Sequence, residues 1–156
     1  MPALQERFTT IATAKVATSG YEAFDIGVLH TDKDSVVINQ SRLIAEAKNK
    51  VIELSNSGYS RPLEREDILV LGQTALGTMY AGIEAFGISG FASEHDQKIA
   101  KKLAFVMAGG DLSQPTEVSE QYLLDLEREA FLSLLGERKT LERIQHILKT
   151  GKPLRN

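Results

Sequence analysis

The sequence contains no cysteine and no tryptophan, and only three histidines and four prolines among 156 residues. Without cysteine there is no disulfide framework, thiol nucleophile or thiolate metal site. Three histidines set far apart, with no His-x-x-x-His pair, give poor support for a metal centre. Excess positive charge is also lacking. The formal net charge is −3, which speaks against a dedicated nucleic-acid binder such as a helix-turn-helix protein. Long uninterrupted apolar runs are absent as well. The longest candidate, Ile68 to Phe91, is cut by five glycines and carries Glu84, so no membrane span is expected there. The first fifteen residues hold Glu6 and Arg7 and do not read as a signal peptide. A cytoplasmic setting is the default expectation.

The residues present are those of a helical domain. Hydrophobic residues make up 42% and charged residues 25%, enough apolar material for a core and ordinary for a soluble chain. Leu4, Phe8, Ile11 and Ala12 recur at helical spacing and predict a helix over Ala3–Ala14. Ser19 is placed to cap a short helix over Tyr21–Ile26, and Gly27 can end it with a positive φ. Ser35–Ile38 is β-branched and reads as a strand or an extended connection. Ser41–Ser55 follows as a stronger helix, with Leu43, Ile44, Ala47, Val51, Ile52 and Leu54 on its apolar side. Tyr59–Asp67, with Pro62 and mixed charges, reads as an exposed linker, and a boundary is placed near residue 60.

Beyond that boundary, Ile68–Leu71 is a short apolar run that leads into a glycine-rich helix over Gln73–Phe86. Ser93-Glu94-His95-Asp96 has the form of a capping box opening a helix to Ala108. Thr116 is read as the cap of a long helix to Leu135, and a last helix covers Lys139–Lys149. The expected architecture is therefore mainly α, with about six helices and one or two short strands.

The chemistry-bearing residues give little sign of a reaction. The histidines His30, His95 and His146 read as surface or helix-end residues. His95 and Asp96 are sequence neighbours on a helix and do not face each other. Glu127 and Glu129 flank Arg128 on a helix and point apart, so they are better read as solvated or paired charges, with Asp125 close to Arg128. Ser93, Ser113 and Ser119 sit at expected caps and turns, and no Gly-x-Ser-x-Gly elbow is present. Neither Gly87-Ile88-Ser89-Gly90 nor Gly109-Gly110 matches a dinucleotide fingerprint. One cluster is suggestive. Lys149, Lys152 and Arg155, with Arg143 upstream, gather positive charge at the C-terminus. Lys149 complements the helix dipole there, and such groups pair well with phosphate.

Two stretches resemble a known family. Ser19-x-x-Glu22-Ala23-x-x-x-Gly27, followed by Arg42-Leu43-x-x-Glu46-Ala47-Lys48, resembles the segment after the catalytic region of enoyl-CoA hydratases of the crotonase superfamily. Val118–Phe131 and Lys139–Asn156 are similar to the end of long bacterial multifunctional fatty-acid oxidation proteins, which join 3-hydroxyacyl-CoA dehydrogenase and crotonase-like regions. Ser93–Asp96 and Gly109–Ser113 also look like that long form.

The resemblance implies that residues 1–60 are the C-terminal segment of a crotonase-like core and residues 61–156 a helical extension. It implies no catalytic residue in this chain, because the glutamates, oxyanion hole and Rossmann loop of such enzymes lie upstream. It further implies NAD and acyl-CoA for the parent enzyme and none bound by this chain alone. The remaining implications are a scaffold or acyl-CoA lid, contacts of Lys149 and Lys152 with CoA phosphates, and a homo-oligomer or the upstream domains as partner. The competing reading is a stand-alone helical module that binds a partner protein through apolar faces.

Overall fold

A computed structural model describes residues 2–156, and Met1 lies outside them. Seven α-helices and two short strands are present among the described residues, so the mainly α expectation holds. By packing, the chain divides into two units. One joins the N-terminal helix and the turn through Ala14 to Glu64–Asn156, and the other is Lys15–Leu63. The first helix thus clusters with residues beyond the boundary placed near residue 60.

The larger unit opens with α1 (Pro2–Ala12), continues through β1 (Ile68–Val70) and α4 (Gly72–Ile88), and then α5 (Glu94–Ala108). Next come β2 (Thr116–Val118), α6 (Glu120–Leu135) and α7 (Arg138–Thr150). Helices α4 and α5 are successive in the chain and pack together as a hairpin, and both α1 and α6 pack against α5. The core is a narrow seam of Phe8, Ala75, Met79, Ile83, Ala104 and Ala108. Small residues make it possible: Ala75, Ala104 and Ala108 are completely buried and let the helix axes approach closely. At Gly87 a Cβ would lie 2.5 Å from the end of the Gln97 side chain, which would have to shift to admit it.

Both strands sit at the far end of this hairpin. They pair antiparallel, with Ile68 opposite Val118, Leu69 opposite Glu117 and Val70 opposite Thr116. The main-chain amide of Glu120 extends the pairing by donating to the Arg65 carbonyl at 2.8 Å. Of the two alternatives for Ser35–Ile38, the structure has the connection and not the strand. One reading is corrected. Thr116 is a strand residue and not a helix cap: the cap of α6 is Ser119, whose hydroxyl accepts from the Tyr122 amide at 3.1 Å. The β-branched pair Thr116 and Val118 finds a partner strand in Ile68–Val70, and pairing of this kind depends on a distant segment.

Glycine fixes the corner between strand and helix. Gly72 has φ of 62°, and a Cβ there would lie 2.5 Å from the Leu112 carbonyl oxygen. The neighbouring Gln73 amide donates to that same oxygen at 2.9 Å. Only glycine satisfies both the left-handed backbone and the close approach.

The smaller unit contains α2 (Gly20–Asp25), a 3-10 turn (Gln40–Arg42) and α3 (Leu43–Asn56). Ser19 caps α2 by accepting from the Glu22 amide at 3.1 Å, and Gly27 has φ of 68°. The Glu22 carboxylate accepts from both the amide and the hydroxyl of Thr18, at 2.7 and 2.5 Å. The Thr18 hydroxyl leads in holding its pKa below the usual value. Gly20 lies against Val36, leaving no room for a Cβ. Only Ala23 is buried in this unit, and no residue of α3 is.

Candidate functional site

The best-organised polar cluster lies where α5 begins and α7 passes it. Ser93 caps α5 in a complete capping box: its hydroxyl accepts from the Asp96 amide at 3.1 Å, and the Asp96 carboxylate accepts from the Ser93 amide at 3.0 Å. The box leaves Asp96 Oδ1 for another donor, and Arg143 of α7 supplies it at 2.7 Å. Arg143 also donates from Nε to Asn156 Oδ1 at 2.8 Å and from Nη2 to the Asn156 main-chain oxygen at 3.2 Å. The Asn156 side-chain amide in turn donates to Glu142 Oε2 at 2.8 Å. Two helices and the last residue are thereby tied at one point. Burial pushes the Asp96 carboxyl up, but the Arg143 guanidinium and the two Ser93 donors outweigh it, and the net shift is downward.

The residue next to Asp96, His95, is buried and bonds through Nε2 to the Thr140 hydroxyl at 3.0 Å. Burial lowers its pKa, reinforced by the positive Arg143 nearby. A neutral imidazole bonded to a hydroxyl of the neighbouring helix holds α5 and α7 together. His95 is a helix-end histidine but not a surface one. Its partner is Thr140 and that of Asp96 is Arg143, so the two are not a base with its orienter.

The other candidates fall apart spatially or serve local structure. Asp125 pairs with Arg128 at 2.6 Å on the exposed side of α6, and Glu127 and Glu129 are exposed beside them. Ser119 is occupied as a cap. Among the described residues no three His, Asp or Glu side chains are grouped to hold a metal ion. No described helix is long and apolar enough to cross a membrane. Lys149 and Lys152 are both exposed, on either side of the left-handed Gly151 that ends α7. Arg143 is not available to join them: it is committed to Asp96 and Asn156, with only 17% of its side chain exposed.

Beside the Asp96 cluster lies an open cavity of about 430 Å³ between α1, α4 and α5. Phe8, Met79, Ile83, Phe86 and Phe91 are among its apolar lining residues, and Asp96 and Arg155 also line it. Phe86 and Phe91 meet edge to face, with centroids 6.4 Å apart. A second cavity of about 340 Å³ lies between α1 and α7, under Pro153 and Leu154. Neither was visible in the sequence, because each is shared by segments more than sixty residues apart. The only local signal was the Ser93-x-x-Asp96 box that anchors their common edge.

No family model matches the chain, and no solved structure matches it. The chain is similar over its whole length to a protein described as "Probable 3-hydroxyacyl-CoA dehydrogenase" from Bacillus subtilis (strain 168), with 47% identity over 156 residues. It spans 20% of that protein's length. The relative's name agrees with the dehydrogenase side of the resemblance read from the Ser93–Asp96 and C-terminal motifs.

Proposed function

We propose that this chain acts as a helical scaffold and acyl-CoA cover in fatty-acid β-oxidation, within or alongside an enzyme of the 3-hydroxyacyl-CoA dehydrogenase and enoyl-CoA hydratase type. The observation that carries this reading is the 47% identity over the 156 residues of the chain with a relative of which it spans only 20%. In this reading residues 1–60 are the last segment of a crotonase-like core and residues 61–156 a helical extension. The reacting groups and the NAD site belong to other parts of such an enzyme.

The physical support is an apolar face with nothing on it. Helix α3 has 14 residues, none of them buried. Leu43, Ile44, Val51, Ile52 and Leu54 are all exposed on it, Ile44 at 79%. A helix of that length gains little from propensity alone and depends on burying an apolar face. An upstream domain or a second copy of the chain supplies that cover. Lys149 and Lys152 are exposed at the end of α7 and in this reading contact CoA phosphates.

Deletion of the matching region from the Bacillus subtilis relative, with this chain supplied in trans, tests the proposal. Loss of NAD reduction with a 3-hydroxyacyl-CoA after the deletion, and its return on addition of the chain, are the expected results. Full activity of the deleted protein would remove the scaffold role.

A further inference from the structure

We propose that the cavity between α1 and α7 is a recognition site for a short peptide, occupied here by the chain's own residues Pro153–Asn156, which act as a releasable latch. The ligand class is a peptide with an aliphatic residue, a basic residue and an asparagine in succession. The inference stands apart from the scaffold reading and uses none of it.

The way the segment is held carries the argument. Helix α7 ends at Gly151, whose φ of 68° turns the chain out of the helix. The Lys152 amide still donates to the Thr150 hydroxyl at 3.2 Å. Beyond it the hydrogen bonds converge on Asn156. Arg143 donates to its side-chain oxygen at 2.8 Å and to its main-chain oxygen at 3.2 Å. The Ser93 hydroxyl donates to that same main-chain oxygen at 3.1 Å. The Asn156 Nδ2 donates to Glu142 Oε2 at 2.8 Å and to the Lys139 carbonyl at 3.4 Å. Arg155 adds a looser ion pair with Asp96 at 3.9 Å, and 61% of its side chain is exposed. A segment hinged at a glycine and fastened mainly at one residue opens and closes as one piece.

The fastening also selects its ligand. Arg143 can only donate and the Glu142 carboxylate can only accept, so the group between them must do both, as a carboxamide does. A carboxylate in its place would face Glu142. Two residues back, Leu154 is half-buried and lines, with Pro153, the cavity of about 340 Å³. Ile99 of α5 and Ile144 and Ile147 of α7 line it too. An apolar recess beside a few placed polar groups is the usual build of a specific site. Release of the latch uncovers Ile144 and Ile147 and frees two of the Arg143 bonds.

The tether decides how the site is tested. A ligand joined by so short a linker meets its site at an effective concentration on the order of millimolar, so the latch outcompetes added peptide in the unmodified chain. Asn156→Ala in the whole chain loosens the latch and leaves Arg143, Glu142 and Ser93 in place. Fluorescence anisotropy with a labelled Lys-Pro-Leu-Arg-Asn peptide is the assay. Binding to the Asn156→Ala chain below about 1 mM is expected, at least tenfold tighter than to the unmodified chain, whose open fraction is small. Leu154→Ser or Asn156→Ala placed in the peptide is expected to weaken binding at least fivefold.

Relaxation-dispersion nuclear magnetic resonance on the unmodified chain needs no variant. Exchange between two states is expected at the Leu154, Arg155 and Asn156 amides and at the Ile144 and Ile147 methyl groups, with Thr140 unaffected. The proposal falls if the peptide fails to bind the Asn156→Ala chain below about 5 mM, or binds both chains equally. It falls if the segment shows no exchange, or if exchange extends to Thr140, which would mean that α7 moves as a whole. A dimer of the unmodified chain that Asn156→Ala dissociates also overturns it, because the segment would then seat in a second copy.

Discussion

Replacing Arg143 with methionine removes the donor that ties α5, α7 and Asn156 together. Arg143 donates to Asp96 at 2.7 Å and to Asn156 at 2.8 and 3.2 Å, and the paired Arg143 and Asp96 side chains are only 17% and 19% exposed. Methionine keeps most of the aliphatic packing, so the change isolates the charge and its bonds. Breaking a fully buried pair by removing one partner costs about 3–5 kcal/mol. With the residual exposure and two Ser93 donors still on Asp96, we expect about 2–3 kcal/mol for Arg143→Met. In a chain of this length that lowers the melting temperature by roughly 5–10 °C.

The loss should depend on pH with a definite sign. The folded Asp96 pKa lies below its ordinary value of 3.8, so the ionised carboxylate contributes stability above pH 3.8. That contribution disappears as pH falls through the folded pKa. Without Arg143, burial of the carboxyl is opposed by Ser93 and by the exposed Arg155 at 3.9 Å, and the acid limb of the stability curve flattens. Urea unfolding followed by far-ultraviolet circular dichroism between pH 3 and pH 8 measures both effects. A double-mutant cycle with Asp96→Asn isolates the pair. A destabilisation under about 0.5 kcal/mol, or a coupling energy indistinguishable from zero at pH 7, would refute the reasoning.

Gly72→Ala places a Cβ 2.5 Å from the Leu112 oxygen at a φ of 62°, and chemical denaturation should show a loss of about 2–4 kcal/mol. Thr140→Val leaves the buried His95 without its hydroxyl partner and should cost about 1–3 kcal/mol in the same assay. His95 itself has a folded pKa below its ordinary 6.5. Its neutral form contributes stability above pH 6.5 that is lost as pH falls through the folded value, and His95→Gln should flatten that part of the pH–stability curve. Tyr122→Phe removes the bond to the Gly109 carbonyl at 2.9 Å and should cost about 1 kcal/mol. Lys149→Gln with Lys152→Gln should leave the melting temperature within about 1–2 °C but weaken any salt-sensitive binding of free CoA, measured by titration at two ionic strengths.

Local signals in the sequence carried most of the helices. The Ser93-x-x-Asp96 box, the Ser19 cap and the Gly27 stop all sit as the residues suggested, because each depends on atoms within four positions of one another. Tertiary partners decided the rest. Thr116 looks like a cap until Ile68–Val70 offers it a strand, and Ser35–Ile38, which local sequence left open between strand and connection, is a connection. Arg143 falls among the basic residues of the C-terminal stretch by sequence, yet its nearest acid is Asp96, 47 positions away. Burial of His95 likewise depends on α7, whose Thr140 lies 45 positions off. The larger cavity depends on α1 reaching residues past position 78, which no periodicity within one helix can show.

The most direct test of the central claim, that this chain supplies structure while others supply chemistry, is a turnover assay on the purified chain itself. The chain is incubated with a 3-hydroxyacyl-CoA and NAD, and separately with crotonyl-CoA, and both NADH formation and hydration are followed. The account predicts no turnover in either reaction above the uncatalysed rate. Sustained NADH formation or hydration by the pure chain, abolished by substituting one of its own residues, would contradict it.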